Sequence, residues 1–164
     1  MKELLTHYAA YNLWANRAIT DTIVEMDEHL HQQIVKSSFP NLYATVLHMW
    51  DAESAWWQRM EGHAQIMIPS RQFNPTMKEA VNGLLQQSTD WKQWAFQCTE
   101  DGLKREFDYK NIKGQPFRSA VWQTVHHLFN HGTYHRGQLV TMMRELGATE
   151  IPQTDFIHYI RTQN

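Results

Sequence analysis

The chain has 164 residues, a formal net charge of −2 at pH 7, 42 % hydrophobic residues and 20 % charged residues. That length predicts one domain, residues 1–164, which buries most of its apolar surface without disulfides or a structural metal. The slightly acidic balance argues against a broad phosphate-binding face, and no apolar run approaches the ~18 residues of a membrane span, so we expect neither nucleic acid nor membrane as a partner.

The first predicted helix runs from about Glu3 to Met26, contains no Gly or Pro, and has apolar residues at three- and four-residue spacing. A second helix is predicted after Pro40, where Asn41 can cap the amino-terminal end, and Gly62 is expected to end it. The connection from Asp27 to Pro40 is long enough to cross the bundle instead of forming a tight hairpin.

A third helix is predicted from near Thr76, after a loop at Pro69–Pro75, and it fades between Thr99 and Gly102. Cys98 lies in its amphipathic pattern, where a packing role is a simpler interpretation than a nucleophile. One cysteine cannot form an internal disulfide, and the first residues carry no signal-peptide pattern, so we expect a cytoplasmic protein.

Two short aromatic segments before the last long helix suit β-strands. Glu106–Tyr109 and Gln115–Arg118 flank a turn and predict a small hairpin. Ser119 is then expected to cap a fourth helix that runs to Leu146, where Gly147 stops it. The tail, Ile151–Asn164, is expected to pack back on the body. Four helices of ~20–28 residues predict an all-α fold, a four-helix bundle with the hairpin before its last helix.

The fourth predicted helix carries an unusual concentration of the ten histidines: His126, His127, His131 and His135. Four residues advance a helix by about 40° beyond one full turn, so His127, His131 and His135 form one stripe. A His-x-x-x-His pair on one helix places two imidazoles on the same side, where they can hold one ion. Position 132 is Gly, so the glutamate of the His-Glu-x-x-His protease motif is missing.

A third ligand must come from another element, and His48 on the second helix is the best candidate. It lies between Leu47 and Met49 in an apolar helix, where an unpaired imidazole would cost free energy. A metal would relieve that cost, but so would an ordinary hydrogen bond to a neighbour, which is the commoner role of a buried histidine. His127 is open to two interpretations, a fourth ligand or a group that supports the ligands, and we favour the second.

Three segments of the chain are similar to motifs of one known family. They are NHGTYHRGQ, residues 130–138, YNLWANRAI, residues 11–19, and LYATVLHMWDAESAWW, residues 42–57. The first resembles the signature of the DinB-like (YfiT-like) metalloenzyme family, the second its first-helix motif and the third its second helix. The order, spacing and length of these motifs agree over essentially the whole chain, and the HRGQ part is the most specific.

The resemblance implies a bundle of up-down-down-up topology with three histidine ligands, which fall on His48, His131 and His135. It also implies a homodimer. Related members include mycothiol-dependent maleylpyruvate isomerase, in which a Glu replaces one histidine ligand, and bacillithiol S-transferases. The resemblance therefore implies a small-molecule substrate and a low-molecular-weight thiol as cosubstrate, and it implies no DNA chemistry.

Three neutral imidazoles suit a divalent transition metal, with Zn or Ni favoured and Fe, Co or Mn as further candidates. An open coordination position could accept a thiol, whose pKa the ion would lower, and this predicts a thiol transferase. It could instead accept water, which predicts a metal-dependent hydrolase, although the helix-four pair lacks an obvious general base. A third alternative is a non-enzymatic metal- or ligand-binding stress protein.

Other polar residues near these motifs have less certain roles. Asp51 is about 60° from His48 around the helix and Glu53 about 140°, and either is expected to form a surface or inter-helix ion pair. Tyr8 and Asn12 follow the apolar stripe of the first helix and are predicted to line the pocket, with packing as the alternative. Arg136 is about 100° from the ligand stripe and is predicted to serve packing or an interface ion pair.

Overall fold

Four long helices, two strands and several short helical segments make up the computed structural model, which describes residues 1–163. In chain order they are α1 (Lys2–Glu25), a 3₁₀ turn (Glu28–Gln32), α2 (Leu42–Met60), α3 (Pro69–Gln72), α4 (Met77–Gln97), α5 (Glu100–Lys104), β1 (Glu106–Lys110), β2 (Pro116–Ala120), α6 (Val121–Glu145) and α7 (Phe156–Thr162). The predicted all-α bundle with a hairpin before its last long helix is confirmed.

The helix ends show which local predictions were correct. The Asn41 side chain accepts a hydrogen bond from the Ala44 backbone N–H at 2.8 Å, which confirms the predicted cap of α2. Thr76 and Glu79 form a capping box at the start of α4. The prediction that Ser119 caps the last long helix was wrong, because Ser119 pairs within the hairpin and α6 begins two residues later.

Two predicted loops contain short helices. Pro69–Gln72, expected as a loop, forms α3, since proline suits a first helical turn and the Ser70 N–H is bound by Asp51. The segment where the third predicted helix was expected to fade forms α5, which Thr99 caps through the Gly102 N–H at 3.0 Å. Both segments are too short for hydrophobic periodicity to reveal them.

Helix α1 lies between α4 and α6, and so does α2, so that α1 and α2 occupy opposite corners of the bundle. The connection between them therefore crosses the bundle, as its length predicted. Residue numbers rise along α1 as those of its partners in and after α4 fall: Lys2 bonds to Glu100, Thr6 to Ala95 and Asn16 to Ser88. These two helices are antiparallel.

Contacts of α2 give the remaining directions. Helices α2 and α4 are parallel, because residue numbers rise together along their contacts: Tyr43 bonds to Pro75, Glu53 to Ser88, and Trp57 packs on Trp91. Helices α2 and α6 are antiparallel, because residue numbers rise along α2 as those of the partners in α6 fall: Thr45 contacts Met142, His48 contacts His131, and Trp56 contacts His127. Together the directions are up-down-down-up, which confirms the topology that the resemblance implied.

A layer of buried polar residues divides the apolar core of the bundle into two clusters. We call it the polar layer, and its members are Asn12, Asn16, Glu53, Ser88 and Arg136. Along each long helix, one apolar cluster lies on one side of these residues and the second cluster on the other. The core is therefore not continuous, and the polar layer must satisfy its own hydrogen bonds.

The carboxy-terminal segment packs against α1, as predicted. The Tyr159 ring is buried 5.9 Å from the Tyr11 ring and 5.5 Å from the Trp14 ring. The Tyr11 hydroxyl donates a hydrogen bond to the backbone oxygen of Thr154 at 2.7 Å. The last residue of the predicted tail, Asn164, lies outside the described residues. Among residues 1–163, no helix is both long and apolar enough to cross a membrane.

Candidate metal centre

Three imidazoles from two antiparallel helices meet at the level of the polar layer. The Nε2 atom of His131 lies 3.3 Å from Nε2 of His48 and 3.0 Å from Nε2 of His135. One nitrogen from each ring lies within 4.8 Å of the nitrogens of the other two. The structure thus brings together the three residues that the sequence proposed as ligands.

One of these histidines has its tautomer set by a neighbouring amide. The Nδ1 atom of His135 lies 2.8 Å from Oε1 of Gln138, and the Gln138 amide nitrogen donates to the Ser38 hydroxyl at 2.6 Å. Because an amide oxygen only accepts, Nδ1 of His135 carries the hydrogen and Nε2 presents a lone pair to the other rings. A metal ligand needs that arrangement.

The three nitrogens fit a small cation better than they fit one another. Hydrogens on the rings can satisfy only part of a cluster in which every Nε2 faces the same point. Tetrahedral zinc, with Zn–N distances of 2.0–2.1 Å, separates its nitrogen ligands by about 3.3–3.4 Å. The two Nε2–Nε2 distances here, 3.3 and 3.0 Å, are close to that separation. The donor set and its spacing suit a divalent transition metal.

The environment keeps these rings neutral at pH 7. Burial, with smaller contributions from the neighbouring His135, His48 and His127 rings, lowers the pKa of His131 to about 4. Burial also lowers the pKa of His48, assisted by His135 and opposed by Asp51. Burial lowers the pKa of His135, while its hydrogen bond to Gln138 opposes the shift. Neutral imidazole is the form that binds metal, so little proton competition is expected near neutral pH.

Aromatic rings surround the three histidines. The Phe39 ring, from the crossover connection, stacks on His48 with ring centroids 4.4 Å apart and lies 5.6 Å from His135. The His127 ring lies 5.9 Å from the His131 ring but is outside the three-histidine group. The Trp56 ring lies 5.5 Å from the His127 ring. This position suits our preferred interpretation of His127 as a supporting residue. Phe39 was not foreseen, because only the fold places the connection there.

Asn12 and Tyr8, the two residues predicted to line the pocket, contact other residues of the bundle. The Asn12 side chain is 1 % exposed, donates to Glu53 at 2.9 Å and accepts from Arg136 at 2.8 Å. Its amide belongs to the polar layer and not to an open pocket. Tyr8 is half-buried, stacks on Tyr11 at 5.7 Å and meets the edge of Phe129 at 5.6 Å, which is a packing role.

Within residues 1–163, neither acidic residue of α2 hydrogen-bonds to the three histidines. Asp51 accepts a hydrogen bond from the Ser70 backbone N–H at 2.9 Å. Glu53 accepts hydrogen bonds from Asn12, Asn16 and Ser88. Burial raises the pKa of Glu53 to about 7, although these bonds and the charge of Arg136 oppose the shift. The expected ion pair is therefore indirect for Glu53, through two asparagine amides.

Arg136 is the cation of the polar layer, and its neighbour in sequence is a candidate ligand. Its Nη1 donates to the side-chain oxygens of Asn12 at 2.8 Å and Asn16 at 2.7 Å, and its Nη2 donates to Thr133. Gly132 permits this approach, since a Cβ there would lie 2.9 Å from the Asn12 oxygen. The Gly at the protease-motif position thus serves helix packing. The Asn12–Asn16 spacing was the signal in the sequence that could have indicated this layer.

Comparisons with known proteins agree with this description. The model of the DinB family matches residues 1–164. Protein DinB of Bacillus subtilis (strain 168) is 24 % identical over 156 residues, which cover 92 % of this chain and 90 % of that protein. The crystal structure of a DinB-like protein from Bacillus cereus ATCC 10987 superposes with a TM-score of 0.64 at 17 % identity, covering 85 % of this chain and 89 % of the other. The latter similarity supports the fold.

Proposed function

Because this chain belongs to the DinB family, we propose that it is a divalent-metal-dependent enzyme that transfers a low-molecular-weight thiol to a small electrophile. His48, His131 and His135 would hold the metal, with Zn or Ni favoured and Fe, Co or Mn as further candidates. The observation that carries the proposal is the convergence of three Nε2 atoms at 3.0 and 3.3 Å.

A divalent ion at this position would supply a positive charge that lowers the pKa of a thiol beside it. The protein's own residues prepare the site. The three rings stay neutral, because burial lowers their pKa values. Gln138 orients His135 by holding the hydrogen on Nδ1. The Phe39 ring stacks on His48 and covers one face of it.

The engagement of the nearby carboxylates favours thiol transfer over hydrolysis. A hydrolase needs a base to take a proton from water, whereas a thiol of lowered pKa releases its proton to solvent. Asp51 is bound to the backbone of α3, and Glu53 is buried in the polar layer. For a metal-dependent hydrolase, the alternative, His127 beside His131 would be a candidate base.

The first test is the metal content of tag-free protein, measured by plasma mass spectrometry. Wild-type protein is expected to carry about one transition-metal ion per chain, and His131→Ala is expected to lose it, because two imidazoles hold such an ion far more weakly than three. His126→Ala is the matched control, since this exposed residue of the same helix lies outside the three-histidine group. Wild-type protein that binds none of the five metals after reconstitution would refute the proposal.

The reaction is tested on the metal-loaded protein with small thiols and electrophiles. Loss of free thiol in the presence of an electrophile is expected with wild type and His126→Ala, and not with His131→Ala. Ester hydrolysis without any thiol would favour the hydrolase. Full metal occupancy without either reaction would favour a non-enzymatic metal- or ligand-binding stress protein.

The proposal also includes a cytoplasmic homodimer. A single cysteine, Cys98, suits a reducing compartment. Leu4 of α1 is 64 % exposed and Phe96 of α4 is 72 % exposed, which leaves apolar surface on two neighbouring helices for a second copy. Light scattering on purified protein is expected to give twice the 19.4 kDa chain mass, and Phe96→Lys is expected to reduce it. A monomeric mass for wild type at micromolar concentration would contradict the dimer.

A further inference from the structure

A cavity of about 290 Å³ lies between the carboxy-terminal end of α2 and the β1–β2 hairpin. Arg59, His63, Asp108 and Lys110 are its ionisable lining residues besides Tyr109. Asp108 already has a partner, because its two oxygens accept from Nε and Nη2 of Arg118, each at 2.8 Å. The remaining charge in the lining is therefore positive, in a chain whose net charge is −2.

Arg59 is the cation of this cavity whose guanidinium contacts two neighbouring residues. Its guanidinium lies 4.9 Å from the centroid of the Trp56 ring, and its Nε donates to the backbone oxygen of Lys110 at 3.2 Å. Within residues 1–163, its two terminal nitrogens have no hydrogen-bond acceptor and no carboxylate within 4.0 Å. The side chain is half-buried, so its charge is only partly solvated. Such a group gains from an anion that both terminal nitrogens can reach.

We propose that this cavity binds the carboxylate or phosphate end of a small organic anion. Arg59 would supply the planar fork that such oxygens accept from, and Lys110 would supply a second positive charge. None of the three candidate metal ligands lines the cavity. Arg59 lies about 16 Å along α2 from His48 at 1.5 Å per residue, so the anion site is separate from the metal centre.

The cavity nevertheless borders the aromatic wall of the metal centre. Tyr109 lines the cavity and meets the edge of the Trp56 ring at 5.1 Å, and Trp56 contacts His127 beside His131. An extended ligand anchored by its anionic end at Arg59 can therefore follow this wall towards the histidines. The anion site does not depend on that extension, because the cavity and its cations alone form it.

The test is isothermal titration of the metal-loaded wild-type protein at low ionic strength with two probes, inorganic phosphate and tricarballylate. We expect at least one probe to bind saturably, and Arg59→Gln to weaken it roughly tenfold or more, as the loss of charged hydrogen bonds does. Arg71→Gln is the matched control, because Arg71 is exposed on α3 and does not line the cavity. Preference for phosphate identifies a phosphorylated ligand, and preference for tricarballylate identifies a carboxylate.

A second pair of variants keeps the test decisive if Arg59→Gln disturbs the fold. Lys110→Gln is expected to weaken the same probe, whereas Lys113→Gln, in the exposed hairpin turn, is expected to leave it unchanged. Metal content is measured on every variant and is expected to stay at the wild-type level, so failure here is distinguishable from failure of the metal centre. Saturable binding of neither probe, or equal binding by Lys110→Gln and wild type, would overturn the proposal.

Discussion

Methionine in place of Arg136 is expected to lower the free energy of unfolding by about 3–5 kcal/mol at pH 8, the usual cost of removing one partner of a buried charged pair. Arg136 is 2 % exposed and Glu53 is 4 % exposed, and Asn12 and Asn16 connect them. Without the guanidinium, the Glu53 carboxylate stays buried with no positive charge near it. Urea denaturation measures the loss, and Arg144→Met, an exposed residue of the same helix, is the control expected to have little effect.

The loss should depend on pH in a predictable direction. Since the pKa of Glu53 is raised from 4.5 to about 7, folded protein binds its proton more tightly than unfolded protein. The stability associated with this proton is complete below pH 4.5 and decreases as the pH rises to about 7. Removing Arg136 raises the pKa of Glu53 further, because its charge opposes the shift. The difference between Arg136→Met and wild type is therefore expected to be smaller at pH 5 than at pH 8.

A double variant distinguishes this account from simple loss of packing. Glu53→Gln together with Arg136→Met removes both charges, and it is expected to be more stable at pH 8 than Arg136→Met alone. Comparing each variant with wild type at the same pH cancels the contribution of the histidines. Equal losses at both pH values, with independent effects of the two substitutions, would show that the charges do not interact.

Alanine in place of Gln138 is expected to weaken metal binding about 10- to 100-fold, the usual effect of losing a residue that orients a ligand. Gln138 accepts from Nδ1 of His135 and donates to Ser38 on the crossover connection. Its loss frees the His135 ring to rotate and to place its hydrogen on Nε2. Competition with a chromophoric chelator measures the affinity.

The metal-free protein offers an independent readout of the same residue. Nitrogen NMR is expected to detect the Nδ1–H tautomer of His135 in wild type and a mixture in Gln138→Ala. Gln138→Glu should restore affinity, since a carboxylate oxygen accepts the same hydrogen bond. Thr141→Ala, an exposed change on the same helix, is the control. Wild-type affinity in Gln138→Ala would mean that packing by Phe39 alone orients the ligands.

The sequence alone determined the long elements to within a few residues. The helix predicted from about Glu3 to Met26 is Lys2–Glu25, and the helix predicted to run to Leu146 ends at Glu145. Apolar spacing reports burial of one helix face, and caps such as Asn41 act within three residues, so both can be read locally. The short helices α3 and α5 were not predicted, because their few residues show no hydrophobic periodicity.

The candidate ligands could be predicted from the sequence for two reasons, the spacing along one helix and the resemblance to a known family. His131 and His135 lie one turn apart, so their proximity follows from the helix itself. The choice of His48 rested on its apolar surroundings and on the resemblance to a known family. Its distance of 3.3 Å to His131 required the antiparallel pairing of α2 with α6.

Only the tertiary structure decided the roles of the polar residues. Glu53 was predicted to form a surface or inter-helix ion pair, Arg136 to serve helix packing or an interface ion pair, and Asn12 to line a pocket. The structure places all three in one buried layer, in which Asn12 links the two charged groups. Their hydrogen bonds join residues 41 and 124 positions apart. Spacing along one helix specifies a direction around its own axis. The partner in that direction depends on how the helices pack, which the up-down-down-up topology sets.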